Sequence, residues 1–303
     1  MEKIKYTRLP YYGSPIKVEG THLTFTLQPG RALDISSLFF DGTAIAYNAP
    51  DECEDVSCVP YREGEFPKHM VLGLLTTCGL ENAGPEQTDE AGVLWLKHGS
   101  MSFNGVEIVS VTGKDDELVI TGEITGNRFN KHHFNLFRTI IFSDSENSLR
   151  IEDRVTNPGE RDQICLLYHY NLGSPFLSPS CTVELPASEI IPADRNAEED
   201  MERLLVVDAP GDAKPEVFYT DSASVRVYNS ALGLVFTLGK SPDALPKLDI
   251  WKNFRPERYV MSFEPCNAYP YGRLKQRDKG NACFLEKGET ITYITKVSVG
   301  RVN

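Results

Sequence analysis

Apolar residues in this chain recur at every second position rather than every third or fourth, and that rhythm restricts the fold more than any other feature. From Ser148 to Asn157, Leu149, Ile151 and Val155 fall on one side while Arg150, Glu152, Arg154 and Thr156 fall on the other, as a strand with one wet face requires. Near the end, Ile291, Tyr293, Val297 and Val299 alternate with Thr290, Thr292, Lys296 and Ser298. The same reading predicts strands over 22–27, 105–111, 117–125, 133–142, 163–170, 224–228, 232–238 and 259–263. Between them, 113–116, 143–147, 229–231 and Gly288 supply the Gly, Asn, Asp and Ser that tight reversals favour.

Helical pattern is sparse. Residues 196–205 are acidic, with room for about two turns, and 36–40 have room for one. Neither can form a layer, and a βα architecture needs a helical pattern after each strand. The expected class is therefore all-β, a large antiparallel sandwich or barrel. No repeat, low-complexity tract or composition shift marks a linker, so residues 1–303 are expected to form a single β-sandwich domain.

Composition excludes several functions. With 41% hydrophobic and 24% charged residues, a packed core is expected rather than a disordered chain. Lys and Arg total 31 against 43 Asp and Glu, a net charge of −12 that repels nucleic acid and anionic membranes. No apolar run approaches the roughly 18 residues a membrane span needs. The opening MEKIKYTRLPYYGSP lacks the apolar core of a signal peptide, so a cytoplasmic protein is expected.

The seven cysteines are odd in number and scattered, which points to reduced thiols. Cys53 and Cys58 form a C-x4-C pair without a second pair at ligand spacing, so no structural zinc is expected. His132 and His133 are adjacent, point to opposite faces of a strand and cannot share a metal. The G-x-S-x-G, G-x-x-x-x-G-K-[ST], H-E-x-x-H and G-x-G-x-x-G patterns are absent, as is the H-x-H with a following glutamate that cupin barrels use. Neither a metal nor another cofactor is expected.

Polar residues interrupt three apolar stretches. His98 precedes Gly99 in 95–100, where an ordinary turn histidine is the plain alternative to a functional one. His169 and Asn171 follow the apolar run 165–168 and share one face of it, a core histidine with a backbone partner being the alternative. Glu264 ends the apolar run 259–263, and Pro265 interrupts the ladder after it. A carboxylate there can be desolvated into a proton acceptor, or can pair with Arg258 or Arg273.

Taken in order, Gly79-Leu80-Glu81-Asn82-Ala83-Gly84-Pro85, Lys97-His98-Gly99, Tyr168-His169-Tyr170-Asn171-Leu172-Gly173 and Phe263-Glu264-Pro265-Cys266-Asn267 resemble the galactose mutarotase-like superfamily. More closely, the chain looks like an uncharacterised bacterial branch of aldose 1-epimerase-related proteins. The resemblance runs from about Leu23 to Val299 and includes Asp153, Val155 and Asn157 of an Asp-x-Val-x-Asn ending. It implies a twisted antiparallel β-supersandwich whose concave sheet binds a sugar, and anomer interconversion by acid/base ring opening without a cofactor. Matched motif to motif, Glu264 resembles the family's base, His169 its acid, His98 a second histidine near the ring, and Asn82 a sugar-binding asparagine.

Further candidates for holding a sugar are Glu86, Asn171, Trp251, Lys252, Asn267 and Arg273. Asp249 is a carboxylate without a definite place in this scheme. Ser100 where the family usually has a second glycine, and the missing Phe of His-x-Tyr-Phe-Asn, weaken the case for its standard hexoses. The implied partner is a small-molecule sugar, bound by a monomer or homodimer. Two alternatives stand: a carbohydrate-binding protein without turnover on the same fold, or an epimerase of phosphorylated or anionic sugars. The latter is suggested by Arg273, Lys275 and Arg277, which equally suit a solvated strand face.

Overall fold

The structure, a computed structural model, describes residues 4–8, 14–48, 73–124, 134–186 and 189–302. The Cys53–Cys58 pair and His132–His133 lie outside the described residues. Period-two alternation becomes two large antiparallel sheets, one of 12 strands and one of 8. No helix of the described residues is long and apolar enough to cross a membrane.

The strands of the smaller sheet alternate in burial as their sequences do. In Asn135–Ser143, Leu136, Ile140 and Phe142 turn inward, and in Ser148–Thr156, Leu149, Ile151 and Val155 do the same. Each such side chain contributes about 1.5–3 kcal/mol on full burial. The larger sheet runs through Leu23–Gln28, Asp34–Phe40, Leu75–Leu80, Asp162–Gly173, Arg258–Cys266, Lys247–Arg255 and Glu216–Thr220, in that spatial order. Its central strand, Asp162–Gly173, is buried on both faces from Gln163 onward. One face meets the apolar core between the sheets; the other forms the floor of the candidate site.

One buried ion cluster joins the sheets within that core. Arg138, fully buried, gives Nε and Nη2 to Asp153 at 2.8 and 2.7 Å, Nη1 to the Ala32 carbonyl at 2.6 Å and Nη2 to Thr77 Oγ1 at 2.9 Å. The Tyr168 hydroxyl donates to Asp153 at 2.6 Å, and Asp34 accepts from the Thr77 amide and hydroxyl. A buried charge survives only when paired and hydrogen-bonded, and this one is.

Local expectations shift in three places. Residues 36–40 are not a helical turn but part of the strand Asp34–Phe40, because pairing with Leu23–Gln28 satisfies their backbone. Residues 196–205 divide into a short helix, Arg195–Glu199, capped by Asp194 accepting from the Ala197 amide at 2.9 Å, and a 3-10 turn, Met201–Arg203. Arg273, Lys275 and Arg277 do not lie on a strand face but in the helix Arg273–Asp278.

Candidate active site

The site is built on one cross-strand rung. The register that pairs Tyr170 with Phe263 and Leu167 with Cys266 sets His169 opposite Glu264. Asp249 opposes Glu264 on the next strand, Tyr219 opposes Asp249 on the one after, and Thr76 opposes His169 on the other side. Directly opposed residues in antiparallel strands share a face. Five polar side chains from five separated stretches of chain therefore point the same way.

At the centre, His169 Nε2 lies 2.9 Å from Glu264 Oε1, with the side chains 4% and 2% exposed. The Ser262 hydroxyl donates to the same Oε1 at 2.6 Å. Burial alone would raise the Glu264 pKa; the adjoining His169 ring, its hydrogen bond, His98 and the Ser262 hydroxyl outweigh it and hold the carboxyl below its ordinary value. Glu264 is thus kept ionised. Neither Arg258 nor Arg273 is its partner, which answers the ion-pair alternative.

Asp249 shows the opposite balance. It is 5% exposed, its Oδ1 has no hydrogen-bond partner, and burial followed by repulsion from Glu264 raises its pKa well above the ordinary carboxylate range. Two carboxyls side by side thus hold different protonation states, and the one next to histidine keeps the charge.

His98 reaches the rung from a turn at φ +54°. Its ring stands edge-on to His169 with centroids 6.2 Å apart. The turn sits close over the sheet because Gly99 touches Gly79 as a bridge; a Cβ on Gly99 would stand 2.4 Å from the Gly79 carbonyl oxygen. Burial, then the Lys97 charge, pushes the His98 pKa down to about 3, so its imidazole is neutral near pH 7. It can accept or donate one hydrogen bond there but is no cationic acid. Trp251 closes another side, its ring edge-on to His169 at 5.8 Å.

The remaining sequence candidates divide. Asn171 shares the His169 face, gives Nδ2 to the Gly73 and His169 carbonyls at 3.2 and 3.1 Å, and leaves Oδ1 without a partner. Asn82, expected to hold sugar, is fully buried, giving Nδ2 to the carbonyls of Pro85 and Leu96 and accepting from the Arg273 amide at 2.7 Å. Asn267 is likewise consumed by the Ile164 carbonyl and Leu166 amide. Arg273 is 1% exposed and binds Asp162 and the carbonyls of Glu81 and Gln163. Asn82 and Asn267 hold loops in place through backbone bonds, and Arg273 does so through two carbonyls and the Asp162 carboxylate.

Lys252 points away from the rung. Strand alternation puts it on the reverse face from Trp251, where Nζ lies 2.9 Å from Glu216 and 3.2 Å from the Arg203 carbonyl. Glu86 is half-buried in the loop after Asn82. The site residues that spacing alone did not find are Ser262, which shares the Glu264 face two positions earlier, and the tyrosines Tyr219, Tyr269 and Tyr271 beside Asp249. Alternation around Glu264 could have signalled Ser262; nothing local signals the tyrosines. Among the described residues no group of three or more His, Cys, Asp or Glu is arranged to hold a metal ion.

The two large antiparallel sheets form a galactose mutarotase-like fold, and solved structures carry the likeness. A candidate aldose 1-epimerase from Klebsiella pneumoniae superposes with a TM-score of 0.87 at 20% identity, over 98% of this chain and 83% of that one. A galactose mutarotase-like protein from Clostridium acetobutylicum gives 0.70 at 12% identity, over 99% and 98%. Another from Lactobacillus casei gives 0.63 at 13%, over 94% and 100%. The chain belongs to the family described as domain of unknown function DUF4432, whose model matches residues 14–299. No curated protein matches the sequence.

Proposed function

We propose that the protein is an aldose 1-epimerase-like isomerase that interconverts sugar anomers by acid/base ring opening. The observation that carries this reading is the buried Glu264–His169 pair at 2.9 Å. A hemiacetal carbon bears its hydroxyl and its ring oxygen together, so the groups serving those two atoms must themselves be neighbours. A carboxylate held ionised beside an imidazole meets that requirement.

Glu264 takes the proton from the C1 hydroxyl as the C1–O bond to the ring breaks and C1 becomes an aldehyde carbon. His169, as imidazolium, gives its proton to the departing ring oxygen. Rotation about C1–C2 turns the other carbonyl face toward the chain; the ring hydroxyl attacks it, His169 recovers its proton and Glu264 returns the other. Neutral His98 and Trp251 flank His169, and the outcome is the opposite anomer with no net change in atoms or charge. The fold relative described as a candidate aldose 1-epimerase supports the same reading.

The test is anomer exchange followed by proton NMR over a panel of aldoses, with wild type and Glu264→Gln. The variant is expected to lose roughly 10²–10⁴ of the rate, the usual range for one positioned proton-transfer group, while still binding sugar. Wild type that binds sugars without exchanging them would leave a carbohydrate-binding protein on this fold.

A further inference from the structure

Beyond Asp249 the rung ends in a cluster whose chemistry differs from that of the acid/base pair. Tyr219 packs on Tyr269 with ring centroids 4.8 Å apart and on Tyr271 at 5.4 Å, and the latter two meet at 5.8 Å. Three ammonium groups lie over these rings: Lys247 at 4.8 Å from Tyr269, Lys279 at 4.5 Å and Lys275 at 5.7 Å from Tyr271. An aromatic platform for a sugar needs an open ring face. Here the faces are covered by one another and by ammonium groups, so a stacked sugar is not what the cluster suits.

What it presents instead is hydrogen-bond donors. Among the described residues, none of the three hydroxyls has a hydrogen-bond partner and none of the three lysines an ion-pair partner. Tyr219 and Tyr269 are buried and Tyr271 is half-buried. Burial, chiefly, pushes the Tyr269 phenol up to about 12 and raises that of Tyr271, so both remain protonated donors. Glu189 and Asp221 bear on Tyr269 and Asp249 bears on Tyr271, over whose ring Lys275 and Lys279 converge. In a chain of net charge −12, a concentration of unpaired cations and phenols beside a candidate active site is a selective feature.

The spacing fits one substrate. Tyr219 is two strands from Glu264, about 10 Å across the sheet, comparable with the reach of a pyranose from its anomeric hydroxyl to a substituent on its terminal carbon. Asp249 between them lies where the ring hydroxyls would pass. The platform is also held in place: Gln87 holds the Tyr271 carbonyl and the Leu274 amide, and buried Arg273 anchors the helix that carries Lys275 and is capped by Lys279.

We infer that Tyr219, Tyr269 and Tyr271 with Lys247, Lys275 and Lys279 form a subsite for an anionic group, carboxylate or phosphate, at the end of the sugar remote from the anomeric carbon. This assigns a substrate class, aldoses that are acidic at the terminal carbon, and it rests on the ring-opening reading of Glu264 and His169. It differs from the sequence expectation that Arg273, Lys275 and Arg277 supply the charge: Arg273 is spent in the interior, and Arg277 donates to Gln163 at 2.6 Å.

The experiment compares anomer exchange of glucose with glucose 6-phosphate, and of galactose with galacturonate, in wild type, Tyr271→Phe and Lys275→Ala/Lys279→Ala. Acidic aldoses are expected to show at least a tenfold higher kcat/KM than their neutral counterparts, and the double variant to lower that preference at least fivefold. Phosphate and carboxylate arms separate the two anions. Equal turnover of neutral and acidic aldoses in wild type, or a preference unchanged by the double variant, overturns the subsite. Calorimetry with the same sugars keeps the two readings distinct: tight binding of acidic aldoses that the double variant abolishes, without exchange in wild type, removes the isomerase reading and keeps the subsite. Absence of any sugar binding removes both.

Discussion

Two buried polar groups lie back to back across the strand Asp162–Gly173, and they are finished differently. On the interior face, Tyr168 joins Arg138, Asp153, Thr77 and Asp34 in a cluster where donor meets acceptor throughout. On the outer face, His169, Glu264 and Asp249 are equally buried, yet His169 Nδ1, Asp249 Oδ1 and the nearby Asn171 Oδ1 have no partner. A buried polar atom left unbonded costs about 1–3 kcal/mol, so the outer group carries a penalty that the inner one avoids. The inner cluster joins the sheets; the outer one leaves polar atoms unbonded beside the candidate site among the described residues. Burial and charge do not tell these two groups apart; the unbonded atoms of the outer one do.

That contrast can be broken from either side. On the outer face, His169→Asn should cost roughly 10²–10⁴ in kcat for anomer exchange while urea unfolding moves little; a large loss of stability with activity retained would reverse the assignment. On the inner face, Arg138→Leu leaves two carboxylates buried without their cation and should destabilise the fold by about 3–5 kcal/mol, read from the same unfolding curves. A smaller loss is expected from Lys252→Met, about 1–3 kcal/mol, because Glu216 can protonate once its partner is gone: burial already raises its pKa. Exchange rates of that variant should stay near wild type, since Lys252 faces away from the rung; a collapse of activity would return it to the site.

An effect that depends on pH sharpens the pair of carboxyls. Asp249 has a raised folded pKa, so above the ordinary carboxylate value the unfolded chain has lost a proton that the folded chain keeps, and stability falls as pH rises toward the raised pKa. Asp249→Asn removes that dependence. Its stability relative to wild type should climb with pH by up to about 1.4 kcal/mol per unit in that window, measured by urea unfolding between pH 4 and 8. A difference independent of pH would mean that Asp249 is ionised in the folded protein.

Much of this was legible beforehand. Alternation marked most strands of the smaller sheet: 224–228 became Ser224–Asn229 and 117–125 became Glu117–Ile124, while 105–111 and 232–238 shifted to Glu107–Lys114 and Leu234–Lys240 and Cys181–Glu184 was not anticipated. The resemblance pointed to Glu264, His169 and His98, which do converge. Of the residues proposed to hold sugar, Asn82 and Asn267 are taken up by neighbouring backbone, Arg273 by carbonyls and Asp162, and Lys252 is turned to the far side by one step of strand alternation. A motif reports residue type and order, whereas the availability of an amide or guanidinium depends on which carbonyls the folded loops bring to it.

The residue pattern by itself determined that the chain is all-β and which side of most strands is dry, because alternation is local and needs no partner to be read. The tertiary structure alone decided that His169, Glu264, Asp249 and Tyr219 share one rung, and that Arg138 is bonded on every nitrogen while His169 Nδ1 and Asp249 Oδ1 are not. The physical reason is register: it is set between strands distant in sequence by packing of the whole sheet, and a slip of one residue would turn the same side chains to the other face.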